Sequence, residues 1–273
     1  MGALVRAVLV MVLVATPSVL LPGTGSDGKQ MVALIALFGG ILTFVEYSST
    51  YPGLIEFRDA PPYNRTRYMM LFMMVFFLSL AARNDIAPST TGSLVAALAH
   101  VMGVALDFPY SPVRLVTLML TEGKGPAMVQ DVRAAAGAAY MIALLSLCVF
   151  VLVMRLRNWP GTDRAFNVWV NLPTFDPSAG GDVVARLERD ARANLVMGFV
   201  LPFVIPAVMQ MGGMGLGTLN LASPQTLTWT LSAWAFLPAS LVMRGIAMGR
   251  IAARIRDRRK QVTDGVDSRL APV

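Results

Sequence analysis

The sequence predicts an all-α fold: a polytopic transmembrane helical bundle of about seven spans, within a range of six to eight, with interfacial amphipathic helices. Three observations carry that prediction. The 273 residues are 55% hydrophobic and 14% charged, with a mean hydropathy of +0.60, against roughly 45–50% and 25% in a soluble domain. The apolar residues gather into blocks of about the length that crosses a bilayer. Lys and Arg exceed Asp and Glu by a formal +7, and they lie between and after the blocks, as in a membrane protein obeying the positive-inside rule.

The first block, 3–21, holds Arg6 and Pro17. It reads as a retained span, the alternative being a signal peptide cleaved near Thr24-Gly25-Ser26. A short turn leads to the second, 30–46, which ends at Glu46-Tyr47 and Tyr51-Pro52, a charged and aromatic margin suited to the lipid–water boundary. Within the polar stretch 56–67, Pro61-Pro62 should stop helix propagation. The third span, 68–82, is dense in Met and Phe. The fourth, 91–107, can be capped by Ser89 or Thr90 and carries His100 and Asp107.

The apolar piece 113–120 is about half the length of a span, so it reads as interfacial or re-entrant. The fifth span, 133–154, opens with Ala134-Ala135-Ala136-Gly137-Ala138-Ala139, small residues that let helices approach closely. In the loop 155–193, residues Val183, Val184, Leu187 and Ala191 share one helical face, which predicts an amphipathic helix on the membrane surface. The sixth span, 195–211, holds Pro202 and Pro206, and the seventh, 227–248, continues into a basic helix. Residues 1–262 form one domain, and 263–273 read as a disordered tail.

Orientation turns on 108–133. Eight crossings would gather Arg58, Arg65 and Arg67 on the side of the basic C-terminal tail. That requires Glu122 and Lys124 in or near the hydrocarbon, at about 2.5–3.5 kcal/mol for each such charge at mid-bilayer. Seven crossings avoid that cost and are the preferred count. Both arrangements make the loop 155–193 and the C-terminus cytoplasmic.

Function classes narrow quickly. One cysteine, Cys148, and one histidine, His100, cannot form an internal disulfide, a Cys/His zinc site or a bis-His haem. No cofactor or metal is expected. The Arg residues have no interleaved aromatics for base stacking, so no nucleic-acid partner is expected. The expected partners are the bilayer and other membrane subunits. Gly23 to Gly28 fits G-x-G-x-x-G, yet it joins two spans instead of a strand and a helix, so it reads as a turn.

His100 is the sharpest candidate, since an ionisable group within a span is a functional hypothesis by default. It would act with Glu46 or Asp107, or else pack as a neutral side chain. Glu56, Arg58, Asp59, Tyr63, Asn64 and Arg65 form a candidate interfacial loop, either binding a polar head group or satisfying itself. Arg244 reads chiefly as snorkelling to the interface. Gly245 and Gly249 form a GxxxG packing motif. No residue pattern matches a known catalytic constellation.

The runs Glu56-Phe57-Arg58-Asp59-Ala60-Pro61-Pro62-Tyr63-Asn64-Arg65 and Asn171-Leu172-Pro173-Thr174-Phe175-Asp176-Pro177 resemble uncharacterised inner-membrane proteins of alphaproteobacteria. The resemblance implies a bacterial cytoplasmic membrane and carries no activity. Three functions compete: a non-catalytic accessory, assembly or scaffold subunit of a membrane complex; a small-solute or ion transporter or channel; and an intramembrane lipid-modifying enzyme using Glu46, Asp59 or Asp107.

Overall fold

The computed structural model describes residues 2–23, 25–51, 53–58, 61–121, 124–160, 171–173, 175, 180–211 and 223–270, with backbone alone for 61, 209–211 and 262–270. Among them are eight helices and no strands. They are α1 (Gly2–Leu20), α2 (Ser26–Ser48), α3 (Pro61–Asn84), α4 (Thr90–Leu106), α5 (Pro112–Leu120), α6 (Pro126–Leu156), α7 (Val183–Met211) and α8 (Pro224–Leu270). All but α4 and α5 are long and apolar enough to cross a bilayer. With 17 residues, α4 is about 25 Å long, short of a hydrocarbon core of about 30 Å.

Several boundaries have local causes. Helix α3 starts at Pro61, two turns before the apolar block, because proline's missing N–H costs nothing in a first turn. Pro112 and Pro126 open α5 and α6 in the same way. The Ser89 hydroxyl accepts the Gly92 N–H (3.0 Å), and the Ser111 hydroxyl accepts that of Arg114 (3.0 Å).

Two expectations are corrected at the C-terminal half. The amphipathic stretch 183–194 is no separate surface helix. It is the first part of α7, and Val184, Leu187 and Ala191 are buried in the protein core. Its apolar face is satisfied by neighbouring helices instead of lipid. Helix α8 keeps helical backbone to Leu270, into the stretch expected to be disordered, since extending a formed helix costs far less than nucleating one.

Side-chain contacts fix how the helices run. Tyr140 stacks on Trp234, with centroids 5.7 Å apart, while Arg250 donates to the Met154 carbonyl (2.9 Å), so α6 and α8 are parallel. Trp234 Nε1 donates to the Pro202 carbonyl (3.1 Å), and Gly245 lies against Ala191, so α7 is antiparallel to α8. Arg67 Nε meets Ser240 Oγ (2.6 Å), whereas Leu78 and Ala81 lie near Leu227, so α3 is also antiparallel to α8. Tyr68 donates to the Leu9 carbonyl (2.9 Å), and Gln225 donates to Ser18 (3.1 Å), so α1 runs with α3.

The starts of α1, α3 and α7 therefore gather at one end with the finish of α2, α6 and the basic part of α8. The starts of α2, α4, α6 and α8 gather at the other. Helices α4 and α5 together leave that second end and return to it. The number of net crossings is even, which corrects the preference for seven. Arg58, Arg65 and Arg67 share an end with the basic tail, yet residues 113–129 need not cross. Among the described residues, segments 21–30, 83–89 and 107–133 carry Lys29, Arg83, Arg114, Lys124 and Arg133 against Asp27, Asp85, Asp107 and Asp131, which nearly balance. Most of the excess positive charge of the described residues therefore lies at the first, Arg-rich end.

Close packing follows the small residues. A Cβ on Gly137 would sit 2.4 Å from the Gly103 Cα, so α4 and α6 cross backbone to backbone. Large apolar side chains on α1, α2 and the outer face of α7 remain exposed, among them Phe38, Ile41 and Phe199. In water such an outer surface would be unfavourable; in lipid it is the expected surface of a span.

Candidate functional site

Two polar regions stand out, one at each end of the bundle. At the Arg-rich end the loop between α2 and α3 is tied down residue by residue. The Glu46 carboxylate, on the last turn of α2, accepts backbone N–H groups of Gly53 (3.1 Å), Leu54 (2.9 Å) and Ile55 (3.2 Å). Arg58 Nη1 donates to the Ser49 carbonyl. Asn64 Nδ2 donates back to the carbonyls of Glu56 (2.9 Å) and Phe57 (3.1 Å).

Phe57 is fully buried with a φ of +53°, a left-handed backbone that a bulky residue adopts only when its surroundings impose it. Those surroundings are visible. Its ring lies 4.3 Å from Tyr63 and 6.2 Å from Trp159, and its N–H donates to the Asn171 carbonyl (2.6 Å). The two distinctive sequence runs therefore meet. Leu172 is buried beside them, and the Arg186 guanidinium covers the Phe175 ring at 4.7 Å.

The centre of this region is an ion pair. Arg244 Nε donates to Glu56 Oε2 (2.7 Å) and Nη2 to Oε1 (2.9 Å), a two-pronged match of guanidinium and carboxylate. The side chains are 24% and 13% exposed, so the pair is shielded from bulk water. Arg244 thus reaches into a loop and does not snorkel outward. Arg67 lies next to it, 5.2 Å from the Tyr63 ring and 5.7 Å from that of Phe236. Arg65 is exposed. Asp59 lies outside the described residues.

At the opposite end a cavity of about 280 Å³ opens between α3, α4, α6 and α8. His100 lines it, with Nδ1 3.5 Å from Gln130 Nε2. Asp85 and Asp131 stand at its exposed mouth, and Thr228 is buried in its wall. Leu78, Ala99, Met128 and Leu227 supply the apolar lining. A carboxylate pair beside an imidazole can attract a cation or hydrogen-bond a polar solute.

The expected partners of His100 are elsewhere. Glu46 is at the Arg-rich end. Asp107 caps α4 and pairs with Arg114 (3.5 Å) and Arg133 (3.6 Å). No group of three or more His, Cys, Asp or Glu able to hold a metal occurs among the described residues. The GxxxG motif packs within the chain: a Cβ on Gly245 would meet the Ala191 carbonyl at 2.8 Å, while Gly249 has more room. Sequence reading missed Asp85, Gln130, Asp131 and Thr228 as companions of His100. Their only local signal is an acidic residue at the end of α3 and another near the start of α6, with no adjacent residue to show that they converge.

No protein-family model, curated protein or solved structure matches this chain.

Proposed function

We propose that this multi-pass membrane protein is a non-catalytic accessory or assembly subunit whose working surface is the Arg-rich end. The observation that carries this reading is the Glu56–Arg244 pair with its Asn64 clamp. It holds the α2–α3 loop against α8 and makes a rigid platform at the end that holds the excess positive charge. A preformed surface of this kind lowers the ordering cost of binding a partner. Arg65 and Arg189 are exposed on it. The matching partner is another membrane subunit with an acidic face.

Under the positive-inside rule this end is cytoplasmic in this proposal, and the resemblance of the 56–65 and 171–177 runs supports a bacterial inner membrane as its setting. With an even crossing number, reporters fused before α1 and after α8 would both report the cytoplasm. Purification from native membranes in mild detergent is expected to bring down a stoichiometric membrane partner. That partner should be lost when Arg65 and Arg189 are both changed to Gln. A lone monomer of unchanged behaviour would sink the proposal.

The cavity favours a second reading, a small-solute or ion transporter. His100, Asp85 and Asp131 around one opening are its specific support. Uptake of small organic cations into proteoliposomes would be measured. Flux that His100→Ala and Asp131→Asn leave unchanged would remove this reading.

A further inference from the structure

We infer that the groove between α7 and α8 at the Arg-rich end binds the headgroup of an anionic phospholipid from the surrounding bilayer. The groove encloses about 500 Å³. Its floor is made of small residues, Ala191 and Gly245 with Gly249 beside them, because α7 and α8 approach closely there. A Cβ on Gly249 would find only the Ala191 Cβ, 3.9 Å away, so the space above it is open.

Three arginines border this space: Arg192 from α7, and Arg250 and Arg256 from α8. Arg256 is paired with Glu188 across the mouth. Arg250 anchors itself through Nη1 to the carbonyls of Met154 (2.9 Å) and Trp159 (3.2 Å). Arg192 is exposed, and no ion-pair partner for it is found among the described residues. Three guanidinium groups against one carboxylate leave a net positive site, and guanidinium matches phosphate oxygens in two-pronged geometry.

Depth in the bundle selects lipid over a soluble anion. Leu195 and Ile246 continue the groove toward the apolar side, and from Val196 the outer face of α7 is exposed and apolar. In the other direction α7 is charged at Arg186, Glu188, Arg189 and Asp190. The three arginines therefore sit where the helices pass from apolar to charged, the level of headgroups. Basic recesses between transmembrane helices at this level suit anionic headgroups, with acyl chains running down the apolar continuation.

The test uses the full chain in nanodiscs or micelles with phosphatidylglycerol and phosphatidylcholine, read by native mass spectrometry of retained lipid. Phosphatidylglycerol should be retained preferentially. Arg192→Gln with Arg256→Gln should weaken its retention about tenfold or more. Gly249→Leu, which fills the groove without changing charge, should also abolish the preference. Arg65→Gln, which removes a charge outside the groove, should leave it intact. Thermal unfolding of each variant separates loss of fold from loss of the site. Equal retention of both lipids overturns the inference. So does an Arg65→Gln effect as large as that of the double variant, or complete displacement by millimolar inorganic phosphate or by an acidic peptide.

Discussion

The two ends of the bundle use similar residues to opposite effect. At the Arg-rich end Glu46, Glu56, Asn64, Arg67 and Arg244 each have protein partners at hydrogen-bonding distance, and the loop they hold is part of the core. At the other end His100, Asp85, Asp131 and Thr228 surround a space. Among the described residues, His100 has one long side-chain contact there, to Gln130 in the same wall. A charged residue in a membrane protein is costly unless partnered, so a satisfied set reads as architecture and a converging, open set reads as a place for a ligand. Polar type alone does not distinguish them.

The sharpest way to break this contrast is at Glu56. Removing it takes away the carboxylate that the shielded Arg244 guanidinium grips with two hydrogen bonds. Glu56→Ala should cost about 3–5 kcal/mol, measured by reversible unfolding in mixed micelles, and the double change with Arg244→Ala should recover part of it. A loss under about 0.5 kcal/mol would make the pair a surface ornament and the platform imaginary. Asn64→Ala comes next, at about 1–2 kcal/mol, because it strands two carbonyls.

The cavity should respond differently. Asp85→Asn and Asp131→Asn should each stay within about 0.5 kcal/mol of the parent in stability, since these side chains are exposed at the mouth. A cost comparable to that at Glu56 would erase the difference between the ends.

The smallest effect concerns pH. Asp182 precedes α7, and its carboxyl is held below its usual 3.8 by the hydrogen bond from Arg259, then by that from the Ala185 N–H. A depressed carboxyl contributes stability that is complete above its unfolded value and fades as pH falls through the folded one. Asp182→Asn should therefore lower stability slightly and by a constant amount above about pH 4, pH 7 included, with the difference from the parent closing as pH falls below that. A difference that fails to close in acid would contradict this assignment.

Much of the fold was legible in the sequence. Apolar blocks of span length located every long helix, because burial in lipid requires continuous apolar helix. Ser89 was readable as a cap, and the 134–139 run as a close-packing face. Boundaries set by first-turn prolines were less legible, since the same proline that ends one element opens the next. The GxxxG motif announced close packing, yet only the structure names α7 as its partner.

By itself, then, the sequence determined that this is an all-helical membrane protein with most of its charge outside the spans. Composition and periodicity are local and additive, so they survive without coordinates. Tertiary structure decided the even number of net crossings, the joining of residues 56–65 to 171–175, the conversion of Arg244 from a snorkelling cation to the partner of Glu56, and the company His100 keeps. Each depends on contacts between segments far apart in the chain. Which helix lies beside which is set by how side-chain volumes and charges pack in three dimensions, and no local pattern carries that information.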